Sequence, residues 1–237
     1  MQRIKQDSDI ILIIILGIVL RFKDLLKFNL WYDEAYTGIL MRLKPVDFYN
    51  ILAKDSHPPL FSLIIKAWTI VFGVNDFTLR FLPFVFGVVT IYVVYQIALT
   101  LASEGLRSDD RSLLFSSQKG VKSSASENKE TAAISAFLAA INPFLISYSI
   151  EARSYSFYGI VTALTFLALL KNKISLFALG IVAMTFTHYI SFTFTVSFLI
   201  LYVVMNYKKI KKDLSVMIPL FIFLVLQVFF LLHKDTE

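Results

Sequence analysis

The chain has no cysteine, which excludes disulfides, thiolate nucleophiles, iron–sulfur clusters and cysteine-based zinc sites together. It leaves the redox compartment open. Eight glycines and six prolines in 237 residues are too few for a collagen-like, low-complexity or disordered chain. Charge is scarce as well: Asp, Glu, Lys and Arg make up 17% of the sequence, against roughly 25% in a soluble domain. In their place stand hydrophobic residues at 57%, including 23 phenylalanines. The length alone allows one or two soluble domains, but this composition is that of a membrane protein. The net charge of +6 does not indicate nucleic acid, because the basic residues punctuate apolar runs instead of clustering on one surface.

A membrane-crossing helix needs about 20 mostly apolar residues, with a floor near 17. Residues 10–20 are unbroken apolar sequence preceded by Arg3 and Lys5. With Phe22, Leu25 and Leu26 this segment spans, provided that Arg21 and Lys23 snorkel. No small-residue cleavage site follows Leu20, so it reads as an uncleaved signal-anchor. Further spans are expected over 78–101, 131–149, 154–170, 174–187, 189–206 and 214–232. Segment 60–73 is apolar but short, and it carries Lys66 at its middle, where a lysine at mid-bilayer costs about 2.5–3.5 kcal/mol. It reads as an interfacial or re-entrant helix, opened by Pro58 and Pro59 and ended by Gly73.

The basic residues then fix the topology. With the amino terminus inside, Arg3, Lys5, the loop 102–130, Lys171, Lys173 and the Lys208, Lys209, Lys211, Lys212 cluster all fall in the cytoplasm. The outer turns near 150–153 and 187–189 carry only Arg153, as the positive-inside bias requires. The expected fold is an all-α polytopic protein of the cell membrane, a single transmembrane domain over 1–237 with about seven spans. Loop 102–130 holds five basic residues, five acidic ones and eight serines, the composition of a flexible, solvated cytoplasmic linker. The outer loop 28–77 concentrates aromatics, acids, a histidine and the Pro-Pro pair, and should contain interfacial helices. There is no internal repeat of the kind that marks transporters.

Four stretches hold most of the chemically capable residues, and this topology puts all four on the outer face. The first is Trp31-Tyr32-Asp33-Glu34-Ala35-Tyr36, whose adjacent acids could serve two neighbouring tasks, or whose Asp33 could simply cap a helix start. The second is Asp55-Ser56-His57-Pro58-Pro59-Leu60, either a stiff lead into a helix or a rigid mount for Asp55 and His57. The third is Asn142-Pro143 followed by Tyr148-Ser149-Ile150-Glu151-Ala152-Arg153-Ser154-Tyr155. Glu151 and Arg153 there sit in a tight connection, where ionisable groups pair with one another or face a cavity. The fourth is Thr187-His188-Tyr189, an outer turn whose histidine is either merely exposed or part of a site. Each signal is weak alone, but accidents would have scattered over both faces.

An outer cavity of carboxylates, histidines and an arginine suits phosphoryl-sugar chemistry. A carboxylate can deprotonate an acceptor hydroxyl, and a guanidinium can bind and stabilise a phosphate leaving group. Two carboxylates and two histidines could also hold a divalent cation. Whether a metal is used is not readable from the residues.

The order Trp-x-Asp-Glu-Ala, His-Pro-Pro-Leu-Phe, an arginine opening the next span (Arg80), Asn-Pro…Tyr-Ser-x-Glu-Ala-Arg-x-Tyr and Thr-His-Tyr resembles glycosyltransferase family 39. That family includes protein O-mannosyltransferases and lipid A aminoarabinose transferases, with the multi-span C-type glycosyltransferase fold. The resemblance runs from about residue 9 to 206. It implies a transferase that takes a sugar from a polyprenyl-phosphate donor on the outer face, by inverting displacement, and passes it to a protein, lipid or glycan acceptor. By the same resemblance Asp33 matches the general base and Glu34 its neighbour, an orienting group or metal ligand. His57, Arg80, Glu151, Arg153, Tyr155 and His188 are then expected to bind substrate, with Arg153 near the donor phosphate. Family members usually have more spans and a carboxy-terminal soluble or loop region, so the chain reads as a short form, half of a split enzyme or a truncated frame. Two other classes stay open: a non-catalytic partner of a complementary membrane subunit, and a transporter or flippase.

Overall fold

The computed structural model describes residues 2–27, 29–55, 57–104, 125–207, 213–218, 220, 222 and 225. Among them the secondary structure is helical, without a strand. Ten helices follow one another: α1 (Gln2–Phe22), α2 (Tyr32–Arg42), α3 (Pro45–Lys54), α4 (Leu60–Phe72), α5 (Asp76–Glu104), α6 (Ala125–Ile141), α7 (Pro143–Ser149), α8 (Tyr155–Leu170), α9 (Ile174–Thr185) and α10 (Ser191–Asn206). Residues 213–218 are also helical. The all-α expectation holds among the described residues. The rest of the 214–232 segment lies largely outside them, as do residues 105–124 of the expected cytoplasmic loop.

Within α5, Asp76–Ser103 is long and apolar enough to cross a bilayer on its own, and α6 with α7 would do so as one bent span. The helices α8, α9 and α10 are apolar but shorter, at 16, 12 and 16 residues. At 1.5 Å rise per residue, α9 reaches only about 18 Å. It ends at Thr185, before the 187 expected from the sequence.

Three expectations need correcting. Segment 131–149 is not one straight helix: α6 and α7 meet at a 58° bend. Asn142 caps α7 by accepting from the Leu145 N–H (3.1 Å), and Pro143 occupies the first helical position, where its missing N–H costs nothing to α7 but ends α6. Loop 102–130 is shorter than expected, since α5 runs to Glu104 and α6 already starts at Ala125. Arg21 does not snorkel; it is fully buried.

Helix α5 is the central post, with α1, α4, α6, α7 and α8 packed around it. Ala132, Ala136 and Ala140 recur every four residues on α6 and meet Ile91 and Tyr95 of α5; small side chains on one stripe let two helix backbones approach closely. In a second cluster, Phe177 and Ile181 of α9 pack with Leu169 of α8 and Tyr202 of α10.

The short helices α2, α3 and α4 form a separate layer on a core of Leu40, Met41, Phe48, Leu52, Phe61, Ile65 and Leu79. Lys66 explains why α4 belongs there. Its Nζ donates to the Met41 (2.7 Å) and Leu43 (2.8 Å) carbonyls and lies 5.1 Å from the Phe48 ring centre. Those carbonyls close the C-terminus of α2, where orphan C=O groups and the negative dipole end favour a cation. Helix α4 then ends at Gly73, whose φ of +79° lies in the region that favours glycine.

Candidate active site

The start of α2 sets two adjacent carboxylates to different tasks. Glu34, the third residue of the helix, reaches back to the Trp31 N–H (3.3 Å), so Glu34, and not Asp33 as the sequence suggested, supplies the N-terminal capping contact. It is buried, and Arg80 at the start of α5 grips it with two bonds, Nε to Oε1 (2.8 Å) and Nη2 to Oε2 (2.6 Å). Arg80 also donates to the Leu25 (3.1 Å) and Asn29 (3.2 Å) carbonyls. The Ala152 N–H completes the knot by donating to Glu34 Oε1 (2.8 Å). One buried ion pair therefore fastens the end of the α1 turn, the start of α2, the start of α5 and the 150–153 turn together.

Asp33 takes the other direction. Its side chain is one-third exposed, and its Oδ2 lies 3.5 Å from Arg153 Nη2. The Arg153 guanidinium carbon stands 6.0 Å from the Tyr155 ring centre, within cation–π range, and its Nε is buried without a partner among the described residues. Arg153 thus reaches Asp33; its backbone N–H donates to the Glu151 carbonyl (2.8 Å), and its charge also acts on the Glu151 carboxyl. Burial, aided by the nearby Glu34 charge, pushes the Glu151 carboxyl above its ordinary range.

The second and fourth stretches arrive at the same place. Asp55 ends α3 and accepts from three donors: the His57 N–H (2.8 Å) and the Tyr36 hydroxyl (3.1 Å), with His57 Nδ1 at 3.0 Å. Burial alone would raise Asp55; the bonds from His57 and Tyr36 outweigh it and hold the carboxyl below its usual value. The Leu60 N–H donates to the Phe186 carbonyl (3.0 Å), which ties the head of α4 to the foot of α9 and sets the His57 and Tyr189 rings 6.5 Å apart. His188 packs against Tyr155 (6.1 Å) and Tyr158 (5.8 Å), and its Nδ1 accepts from the Ile190 N–H (3.2 Å). Burial, and then the proximity of His57 and Arg153, lowers the His188 pKa.

The structure therefore brings Asp33, His57, Glu151, Arg153, Tyr155 and His188 to one end of the helical layer formed by α8, α9 and α10. Glu34 and Arg80 lie beside that cluster, bonded to each other. Asp55, which the sequence offered only as a partner of His57, belongs to it as well, as do Tyr36 and Tyr158, which the sequence reading did not single out. The signal for Asp55 was its place two residues before a histidine, an arrangement in which an Asp side chain bonds its own backbone. Among the described residues no group of three or more His, Asp or Glu side chains is placed to hold a metal ion, Glu34 being committed to Arg80 and Ala152. A cavity of about 410 Å³ between Lys173, Asn206 and Asp213 lies at the other ends of α8, α9 and α10, away from the cluster.

Residues 56–107 match the family model described as dolichyl-phosphate-mannose-protein mannosyltransferase. The match supports the resemblance to glycosyltransferase family 39 over that part of the chain. It takes in His57, the Pro58-Pro59 pair, α4, Arg80 and α5; Asp33, Glu151, Arg153 and His188 lie outside it. No curated protein and no solved structure matches the chain.

Proposed function

We propose that the chain is a membrane glycosyltransferase of the mannosyltransferase type, which moves a sugar from a polyprenyl-phosphate carrier to an acceptor hydroxyl with inversion. The observation that carries the reading is the division of labour at the start of α2. Glu34 does the capping and ion-pairing, so Asp33 is left one-third exposed beside a single arginine delivered by another turn.

The chemistry follows from that pair. The acceptor oxygen attacks the anomeric carbon while the bond from that carbon to the phosphate oxygen breaks. The acceptor proton goes to Asp33 as general base, and the polyprenyl phosphate departs with the bonding electrons. Arg153 binds that phosphate, its planar fork matching two oxygens at once. In the unliganded site Asp33 and Arg153 neutralise each other; donor and acceptor exchange that contact for their own. Tyr155, His57 and His188 line the reacting space, and Glu151 with the Glu34–Arg80 knot holds the 150–153 turn.

The membrane setting rests on the family match and on the long apolar α5, together with large apolar side chains left exposed along α1 and α10. Exposed apolar faces of this extent are an unlikely bargain in water and an ordinary one in lipid. We place about seven spans across the bilayer, the amino terminus inside and the Asp33–Arg153 end outside, by the charge bias.

The test is transfer itself. Membranes containing the chain are incubated with a panel of radiolabelled polyprenyl-phosphate sugars, and label is followed into protein, lipid and glycan. Transfer that is lost in Asp33→Asn is the expected result. A panel in which no donor is consumed, by a chain shown to be folded and inserted, overturns the reading.

A further inference from the structure

The buried charge at the end of α1 is used by no step of the reaction above. Arg21 is fully buried, in an apolar helix where an uncompensated charge costs several kcal/mol or more. Its partners among the described residues are carbonyl oxygens: Nη1 donates to Gly17 (3.1 Å) and Ala140 (2.9 Å), and Nη2 to Ala139 (3.3 Å). Its Nε is buried and unpartnered.

The choice of carbonyls is informative. In a continuous helix the Ala139 carbonyl would accept from the N–H four residues on, but that residue is Pro143, which has none. The 58° bend between α6 and α7 begins there. Arg21 thus supplies, from another helix, the donors that the proline withdraws. It also complements the negative end of the α6 dipole.

The same side chain also lies near the far end of α7. Gly87 on α5 has no Cβ, and one added there would strike Ser149 and come within 3.4 Å of Arg21 Nε. Ser149 and Arg21 therefore share the slot that Gly87 leaves. Ser149 is the last residue of α7, two before Glu151 and four before Arg153. The guanidinium thus holds the end of α6 that leads into this seven-residue helix and lies near the helix's last residue, and the 150–153 turn follows directly from it.

We infer that Arg21 is a positioning residue: it holds the α6–α7 break at its angle and thereby sets where Arg153 stands against Asp33. Only the kinetic arm of its test rests on the transferase reading. Lysine cannot replace it fully, since one ammonium on a flexible stem lacks the fork that spans two successive carbonyls.

The chain has no cysteine, so cysteines introduced at the exposed Tyr32 and Phe144 are the sole sites for spin labels, and the distance between them reports α7 against α2 without any turnover. Arg21→Met is expected to shift or broaden that distance distribution and, in the unlabelled protein, to lower kcat about 100-fold, the usual consequence of an ångström-scale misplacement. Arg21→Lys should recover part of both. A folded Arg21→Met protein with the wild-type distribution and wild-type kcat overturns the inference. If Arg21→Met does not fold, Pro143→Ala decides, because an N–H at position 143 then competes with Arg21 for the Ala139 carbonyl. A shifted distribution in a protein of undiminished thermal stability supports the brace; an unchanged one overturns it. A protein that shows the shifted distributions but transfers no sugar would sink the transferase reading and leave this one standing.

Discussion

Glu34 and Asp33 are neighbours in sequence with opposite expected behaviour on mutation, and Glu34→Ala is the sharper test. Both Glu34 oxygens are buried and bonded, to Arg80, to the Ala152 N–H and to the Trp31 N–H. Truncation leaves the Arg80 guanidinium with carbonyl partners alone and strands the Ala152 N–H in the interior. Breaking a buried ion pair by removing one partner costs about 3–5 kcal/mol. At about 2–4 °C per kcal/mol for a chain of this size, the expected fall in Tm is on the order of 6–20 °C. Thermal unfolding in detergent, followed by far-ultraviolet circular dichroism, measures it. A Tm within about 2 °C of wild type, which corresponds to roughly 1 kcal/mol or less, would refute the structural assignment of Glu34. Should turnover vanish at the same time, the conclusion would go further: Glu34 would act in the chemistry, and the division of labour between the two acids would be wrong.

The remaining expectations are briefer. Asp33→Asn should lower turnover by about 10²–10⁴-fold while moving Tm little, because a long, partly exposed ion pair contributes at most about 1 kcal/mol; near-normal turnover would remove Asp33 as the base. Arg153→Lys should keep part of the activity and Arg153→Ala none, with Glu151→Ala failing to restore the alanine variant; recovery in that double variant would reduce Arg153 to a structural partner. Asp55 is held below its ordinary pKa in the folded state, so the unfolded chain binds its proton first and the stabilisation is complete above about pH 4. It should fade as the pH falls through the lower folded value, and the Tm difference between wild type and Asp55→Asn should shrink on acidification; a difference that grows instead reverses the sign of the argument. For topology, cysteine at Tyr32 should react with an impermeant maleimide in intact cells and cysteine at Lys171 should not, and the opposite pattern would turn the site to the cytoplasm.

Local chemistry was legible where a residue's role is set by its neighbours in the chain. The Pro58-Pro59 start and Gly73 stop of α4 were read correctly, because proline and glycine act on the backbone within a few residues. The polar stretches around Asp33, His57, Arg153 and His188 were expected on one face, and they meet at one end of the fold through contacts such as Asp33 to Arg153 and His57 to Tyr189. The break at Asn142-Pro143 was written in the sequence as a capping residue followed by a first-turn proline. Apolarity over 131–149 hid it, since hydropathy is blind to the direction of a helix axis.

What stayed hidden has a common cause. Lys66, Arg80 and Arg21 each looked like a charge to be explained by its own surroundings: a penalty against spanning, a substrate ligand, a snorkelling end. Each instead donates to main-chain carbonyls at a helix end or turn far away in sequence, Lys66 to Met41 and Leu43, Arg80 to Leu25 and Asn29, Arg21 to Ala139 and Ala140. Carbonyl oxygens are present at every residue, so a sequence cannot say which of them will lack a partner until the helices have ended and packed. In an apolar medium such an orphan costs several kcal/mol, and a long cationic side chain from a neighbouring helix is a means of meeting it. The three cations at helix ends are therefore one solution used three times. On Arg153, by contrast, the guanidinium faces the one-third-exposed carboxylate of Asp33 instead of carbonyls at a helix end. That contrast is what singles out Arg153 for the phosphate in the proposed reaction.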